Sequence, residues 1–178
     1  MYLKSIEIHG FKSFAAKTVI PFLSSRQGRN SITAIVGPNG SGKSNIVDAI
    51  RWAMGEQSMK MLRGKRGEDI IFAGSETKGR LGLASVELLF DNKDGSMDVP
   101  YEEVVITRRL YRSGESEYLI NGATVRLLDI QLLLAKAQCG QGSYSIIGQG
   151  MIDRLLTQSA EDRKTFFHGH TYTANPVS

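Results

Sequence analysis

The sequence predicts an α/β fold: a mixed sheet carrying a phosphate-binding loop and its helix, with an antiparallel β-subdomain beside it. Three observations predict it. Gly37-Pro38-Asn39-Gly40-Ser41-Gly42-Lys43-Ser44 fits the pattern G-x-x-x-x-G-K-[ST]. A β-branched apolar run precedes that octet and an apolar pattern of helical spacing follows it. Farther on, 83–122 alternates apolar and polar residues between turn signals. A chance match to the octet arises at about 4 in 100,000 positions, and the flanking pattern lowers that rate further.

Residues 2–9 and 17–22 read as two strands of an opening hairpin, joined through Gly10-Phe11-Lys12-Ser13-Phe14. If these strands neighbour the one that enters the loop, Lys12 and Ser13 reach a nucleotide. Otherwise they belong to a solvated turn anchored by Phe11 and Phe14. The polar stretch 23–30 reads as a surface loop. Ser31-Ile32-Thr33-Ala34-Ile35-Val36 then reads as a short buried strand running into the glycines.

The octet's chemistry asks for each residue type. Gly40 and Gly42 allow a tight turn and a close approach of backbone to a polyphosphate, whose oxygens face a nest of N–H groups. Lys43 brings an ammonium to the β- and γ-phosphates, and Ser44 offers a hydroxyl to Mg²⁺. Ile46, Val47, Ala49, Ile50, Ala53 and Met54 recur at helical spacing, so a helix starts here with its positive dipole end toward the phosphates. Gly55-Glu56-Gln57-Ser58 stops that helix and offers a new cap. Lys60, Arg63, Lys65 and Arg66 follow as a basic cluster, suited to a nucleotide's charge, a DNA backbone or plain solvation. Residues 68–74 turn apolar and pack.

Residues 83–91, 103–111 and 118–120 form a meander, with Val86, Leu88 and Phe90 on one face and Asn121-Gly122 as a hairpin turn. Arg108, Arg109 and Arg112 on these strands read as outward and solubilising. Residues 125–137 read as a helix with Leu127, Leu128, Leu132, Leu134 and Ala135 as its apolar face. Gln149, flanked by glycines in Ile146-Ile147-Gly148-Gln149-Gly150, is an unusual polar residue for an apolar segment. Its carbonyl is suited to accept from a metal-bound water. A further helix begins near 151, and Ser159-Ala160-Glu161-Asp162 is a fresh N-cap.

The composition bounds the rest. At 178 residues, 41% hydrophobic and 22% charged, the chain is long enough for one domain with a real core. No apolar run approaches the length of a membrane span, and the N-terminus is not a signal peptide. A single cysteine, Cys139, excludes a disulfide framework and points to a reducing cytosol. A net charge of +4 permits nucleic-acid binding without requiring it. His168 and His170 are two ligands without a third and make no metal site.

The motifs together resemble a family. Gly10–Phe14, the loop 37–44 with Asn45 after it, Asp48-Ala49-Ile50-Arg51-Trp52, Gly55-Glu56-Gln57-Ser58, Leu62-Arg63-Gly64, 69–75 and 144–150 are similar, in order and spacing, to the N-terminal half of the head of prokaryotic SMC (structural maintenance of chromosomes) proteins. The resemblance runs from residue 1 to about 167, with coiled coil starting near 160, and stops at 168–178, which reads as a truncation, a frameshifted end or a junction. It implies an ABC-type P-loop ATPase half-head that binds ATP and Mg²⁺ through Gly37, Pro38, Asn39, Gly40, Ser41, Gly42, Lys43, Ser44 and Asn45. Lys12 and Ser13 match positions lining the nucleotide. Gln149 matches the glutamine that senses the metal and γ-phosphate, and Arg63 the arginine that reaches the nucleotide and couples DNA to hydrolysis. Lys43, Arg63 and Gln149 are thus the catalytic candidates, and Ser44 and Gln149 the metal candidates. Lys65, Arg66 and Arg126 fall where such heads present basic residues to DNA.

The implied partners are double-stranded DNA, the C-terminal half of the same head, a second head in a homodimer and a kleisin-type subunit, all in the cytoplasm at the nucleoid. The family's Walker B aspartate, catalytic glutamate and signature motif belong to that C-terminal half. No Leu-Ser-Gly-Gly and no apolar run ending in Asp-Glu occurs here. The chain alone is therefore expected to bind nucleotide weakly and to hydrolyse little or none. The rival expectations are a RecN- or RecF-like repair ATPase segment, a non-catalytic nucleotide-binding module and, least favoured, a transporter cassette.

Overall fold

The computed structural model describes residues 1–24, 32–139 and 146. The chain divides into two compact units, Met1–Gln141 and Gly142–Ser178. The sheet, its helices and the phosphate loop all belong to the first. Gln149, the helix near 151, the cap at Ser159 and the tail 168–178 lie outside the described residues.

Six strands form one sheet: β1 (Tyr2–His9), β2 (Thr18–Pro21), β3 (Leu83–Asp91), β4 (Glu103–Tyr111), β5 (Ser116–Ile120) and β6 (Ala123–Val125). Their order is β2-β1-β3-β4-β5-β6, and every neighbouring pair is antiparallel. Among the described residues two α-helices accompany it, α1 (Lys43–Ala53) and α2 (Leu127–Lys136), with a short 3-10 turn at Gly67–Ile70. The opening hairpin and the meander therefore form as expected, with the first strand of the chain joining the meander at its edge.

Period-two patterning sets which face is buried. Ile6 and Ile8 on β1, Val86 and Leu88 on β3, and Ile106 on β4 are fully enclosed. Their register is cross-strand: Ile6 opposes Leu88, which opposes Ile106, and Ile8 opposes Val86. Trp52 and Phe11 complete this core, their rings 5.3 Å apart and tilted. At the β5–β6 turn Asn121 and Gly122 both take left-handed backbone, φ 48° and 80°, the geometry that Asn-Gly hairpins use.

Two parts of the expected architecture need correction. Among the described residues no parallel strand occurs, and 32–36 forms no strand. Ile32 and Val36 are 87% and 89% exposed. A β-branched run becomes a strand only when a partner supplies the ladder's hydrogen bonds, and none of the described strands pairs with it. On α2 the buried residues are Ile130, Leu133 and Leu134, whereas Leu128 and Leu132 are each 53% exposed. The expected set mixed two faces of a 3.6-residue period.

The strand arginines also differ from expectation. Arg108 points inward, in the same cross-strand row as Val86 and Tyr118, and is buried. Arg112 donates to the carbonyls of Leu81 (2.7 Å) and Phe72 (3.1 Å). Arg109 is partly exposed and pairs with Glu117 at 3.4 Å.

The loop between β3 and β4 is organised by one buried amide. Asn92 Nδ2 donates to Met97 O (3.1 Å) and Tyr101 O (2.9 Å), and its Oδ1 accepts from Met97 N (2.7 Å). Asn92→Ala removes three bonds and leaves buried backbone groups unpaired, so it is expected to cost about 2–3 kcal/mol. Urea unfolding checks this, through a lowered midpoint at unchanged slope.

Candidate nucleotide-binding site

The loop 37–44 leads straight into α1. Gly40 and Gly42 adopt φ 83° and 92°, backbone that other residues take only with strain. At Gly42 a side chain would also meet Ser13: an added Cβ would lie 2.8 Å from Ser13 Oγ. At Gly37 it would lie 2.9 Å from Ser41 Oγ. Gly42 is thus constrained by shape and by torsion, Gly40 by torsion alone and Gly37 by shape alone. Ser41 N donates to Pro38 O at 3.3 Å and Asn45 N to Gly42 O at 2.9 Å, which closes the turn onto the helix.

The start of α1 carries neither a side-chain cap nor an acidic residue in its first turn. Its leading N–H groups and positive dipole end are therefore left for an anion. Lys43 Nζ donates to Gly37 O and, at 2.7 Å, to Pro38 O, so the ammonium lies against the loop itself. Ser44 is exposed in the first turn. Pro38 and Asn39 are exposed on the loop. This set fits a nucleotide polyphosphate with a divalent cation: a glycine-shaped loop, a free helix N-terminus, an ammonium and an accessible hydroxyl.

The turn after β1 joins this site. Lys12 N donates to Ile70 O (2.7 Å) and Phe72 N to Gly10 O (2.8 Å), which ties 10–14 to 70–72. Ser13 Oγ accepts from Asn45 Nδ2 at 2.9 Å. Ser13 therefore lies beside the phosphate loop, although β1 does not neighbour a strand at 32–36. Lys12 turns the other way: its ammonium donates to Asp48 Oδ2 and to Leu62 O. Arg63 reaches the same carboxylate oxygen, from Nε at 3.1 Å and Nη2 at 2.6 Å, and Nη2 also donates to Asn45 Oδ1 at 3.3 Å.

Asp48 is the residue that sequence reasoning passed over. It is 3% exposed. The available signal was an aspartate on the inward face of an amphipathic helix, one turn beyond Ser44, where an unpaired carboxylate is not tolerated.

At the far end, α1 stops in a Schellman arrangement: Glu56 N donates to Arg51 O (3.0 Å) and Gly55 N to Trp52 O (3.1 Å), with Gly55 at φ 103°. The expected stop is present. The new cap at Ser58 starts turns rather than a helix, with Leu62 N donating to Ser58 O at 3.1 Å. Arg108 Nη1 donates to Trp52 O and Glu56 O, both at 2.8 Å. Its guanidinium lies 4.7 Å from the Trp52 ring centroid and 5.0 Å from that of Tyr118. Burial lowers its pKa from the ordinary arginine value, with Tyr118 and then Glu56 opposing that shift.

The basic candidates divide. Lys65 and Arg66 are exposed, and their side chains make no ion pair among the described residues. Their backbone is held instead, since both N–H groups donate to Asp69 Oδ2 at 2.8 Å. Those bonds hold the Asp69 carboxyl below its ordinary 3.8. Arg126 is committed to Asp129 through Nη2 at 2.9 Å and Nε at 3.2 Å, a side-chain bond that raises the arginine's pKa and lowers the aspartate's. Among the described residues no group of three or more metal-ligating side chains occurs, and no helix is long and apolar enough to cross a membrane. Cys139 is a free, partly buried thiol.

Comparison with known proteins meets the same residues. The family model described as RecF/RecN/SMC N terminal domain matches residues 2–145. The chromosome partition protein Smc of Mycobacterium leprae (strain TN) is 51% identical over 166 residues, covering 93% of this chain and 13% of that protein. The chain thus spans 13% of that relative's length. A solved structure from work on ATP-driven dimerization and DNA-stimulated activation of SMC ATPases matches at TM-score 0.86 and 37% identity, over 94% of this chain and 98% of that one. The crystal structure of an Smc head domain with an extended coiled coil, bound to the C-terminal domain of ScpA and derived from Pyrococcus furiosus, matches at TM-score 0.82 and 38% identity, over 94% and 41%.

Proposed function

The chain belongs to the RecF/RecN/SMC N terminal domain family, as the N-terminal segment of a chromosome-partition Smc head, and from that premise we propose that it supplies the ATP-binding half of that head. The observation that carries the proposal is the loop Gly37–Ser44, whose left-handed glycines deliver an uncapped helix N-terminus with Lys43 and Ser44 beside it. Loop N–H groups and Lys43 would hold the phosphates and Ser44 would hold Mg²⁺, while Ser13 and Asn45 bond each other beside the loop; Gln149, the other metal candidate, lies outside the described residues. A bound Mg²⁺ would supply charge neutralisation at the β- and γ-phosphates.

Hydrolysis needs the C-terminal half of the head, which brings the residues that polarise the attacking water. The exposed β-branched run 32–36 supports that assembly, because it offers a strand to a sheet completed from outside the described residues. ATP then joins two such heads and hydrolysis releases them, in keeping with the ATP-driven dimerization that names the related SMC structure. A kleisin-type subunit is the further partner, as ScpA is for the related head. DNA is met first by Lys65 and Arg66, which are unpaired among the described residues, whereas Arg126 must leave Asp129 to join. The setting is the cytoplasm, at the nucleoid.

Isothermal titration of the chain with ATP and Mg²⁺ tests the binding claim, and sedimentation of the assembled head with and without ATP tests engagement. In that assembled head Gln149→Ala is expected to leave ATP affinity within about twofold while lowering turnover on the order of 100-fold. Single-turnover kinetics distinguish this from unchanged turnover, which would make Gln149 structural only.

A further inference from the structure

We infer that Asp48 is a positioning residue for nucleotide binding, holding Arg63, with Lys12 beside it, in the orientation that meets the phosphates; this deepens the proposed nucleotide binding and rests on it. The observation is a surplus of charge. Asp48 Oδ2 accepts from Lys12 Nζ and from Arg63 Nε and Nη2. One cation satisfies a buried carboxylate. Two cations on one oxygen leave a net positive charge in the cluster.

That charge lies next to the loop. Arg63 Nη2 bonds Asn45 Oδ1, Asn45 Nδ2 bonds Ser13 Oγ, and Ser13 Oγ lies 2.8 Å from where a Cβ on Gly42 would be. With Nε and Nη2 engaged, Nη1 of Arg63 makes no hydrogen bond among the described residues, and the side chain is 50% exposed. A guanidinium pinned by two nitrogens and open at the third is oriented without being used up. The backbone supports the same arrangement. Lys12 and Arg63 are both left-handed, φ 48° and 53°, strained for side-chain-bearing residues. The two strained residues converge on one carboxylate. An ion pair serving only to pin 62–63 to α1 would need neither the second cation nor the free Nη1.

A double-mutant cycle separates positioning from simple structure. A fluorescent ATP analogue is titrated with Mg²⁺ into the full chain and into Asp48→Asn, Arg63→Ala and the double variant, with Lys43→Ala as the weak-binding reference. Asp48→Asn and Arg63→Ala are each expected to weaken binding on the order of tenfold, and the double variant no more than the worse single. Wild-type affinity in Asp48→Asn, or fully additive losses, overturns the inference while leaving nucleotide binding in place. A wild-type chain that binds no analogue overturns both. Should Asp48→Asn fail to fold, the Arg63 Nε–H resonance of the wild-type chain carries the test, assigned by its loss in Arg63→Lys. Slow solvent exchange that persists on adding ATP supports a retained pin, and fast exchange in either state contradicts it.

Discussion

Lys43→Ala is expected to weaken ATP binding on the order of 10- to 100-fold, while the thermal midpoint of the chain moves by no more than about 2 °C. The two readouts separate because of what Lys43 touches. Among the described residues its ammonium bonds only the carbonyls of Gly37 and Pro38, at the loop itself. Loop carbonyls left by the lysine regain water. A charge-assisted contact to phosphate is worth about 1.5–3 kcal/mol, and the loop loses its own ammonium. Equilibrium titration checks the affinity and circular dichroism checks the fold. Unchanged affinity would remove the loop from the site altogether.

The second large effect lies at the other end of the same helix. Arg108→Ala is expected to destabilise the chain by about 2–4 kcal/mol. The side chain is only 7% exposed, so solvent screens little of what it does. It satisfies the carbonyls of Trp52 and Glu56, at the negative end of the α1 dipole, and stacks between two rings. Against that stands the cost of burying a guanidinium whose Nε has no hydrogen-bond partner among the described residues. Truncation removes the charge but also opens a cavity and takes the Arg108 bond from Glu56 O, while Trp52 O keeps only Gly55 N, and these losses outweigh the relief. Arg108→Met refills the volume without restoring the bonds, so it is expected to recover part of the loss. Trp52 is the chain's single tryptophan, so its fluorescence follows the unfolding directly. A fully stable Arg108→Ala would mean that packing of α1 on β3 and β4 holds the helix unaided.

How much of this was legible depends on how local the signal is. The octet carries its own chemistry, and Gly42 at φ 92° is the tight turn that its spacing implied. The strands β3 and β4 begin and end where alternation placed them. The short strand β6 was not legible, because three residues after Asn121-Gly122 are too few to show a period. Ile32 to Val36 looked buried because β-branched apolar residues usually are. Its exposure reflects a missing partner strand among the described residues, which a local pattern does not reveal. Arg108 was read as outward because a charged residue on an alternating strand is so assigned by default, and Asp48 drew no reading of its own; only the tertiary structure shows the carbonyls, rings and cations that allow each inside.

The central claim is that this chain holds ATP but completes its chemistry only with the C-terminal half of the head. The direct test is steady-state ATP turnover of the chain alone and mixed with that half, each with and without double-stranded DNA. The expected result is no turnover in the chain alone, turnover in the mixture, a further rise with DNA, and loss of all of it in Lys43→Ala. Turnover by the chain alone at the rate of the mixture would contradict the claim, because the residues that activate water would then have to lie within these 178 residues.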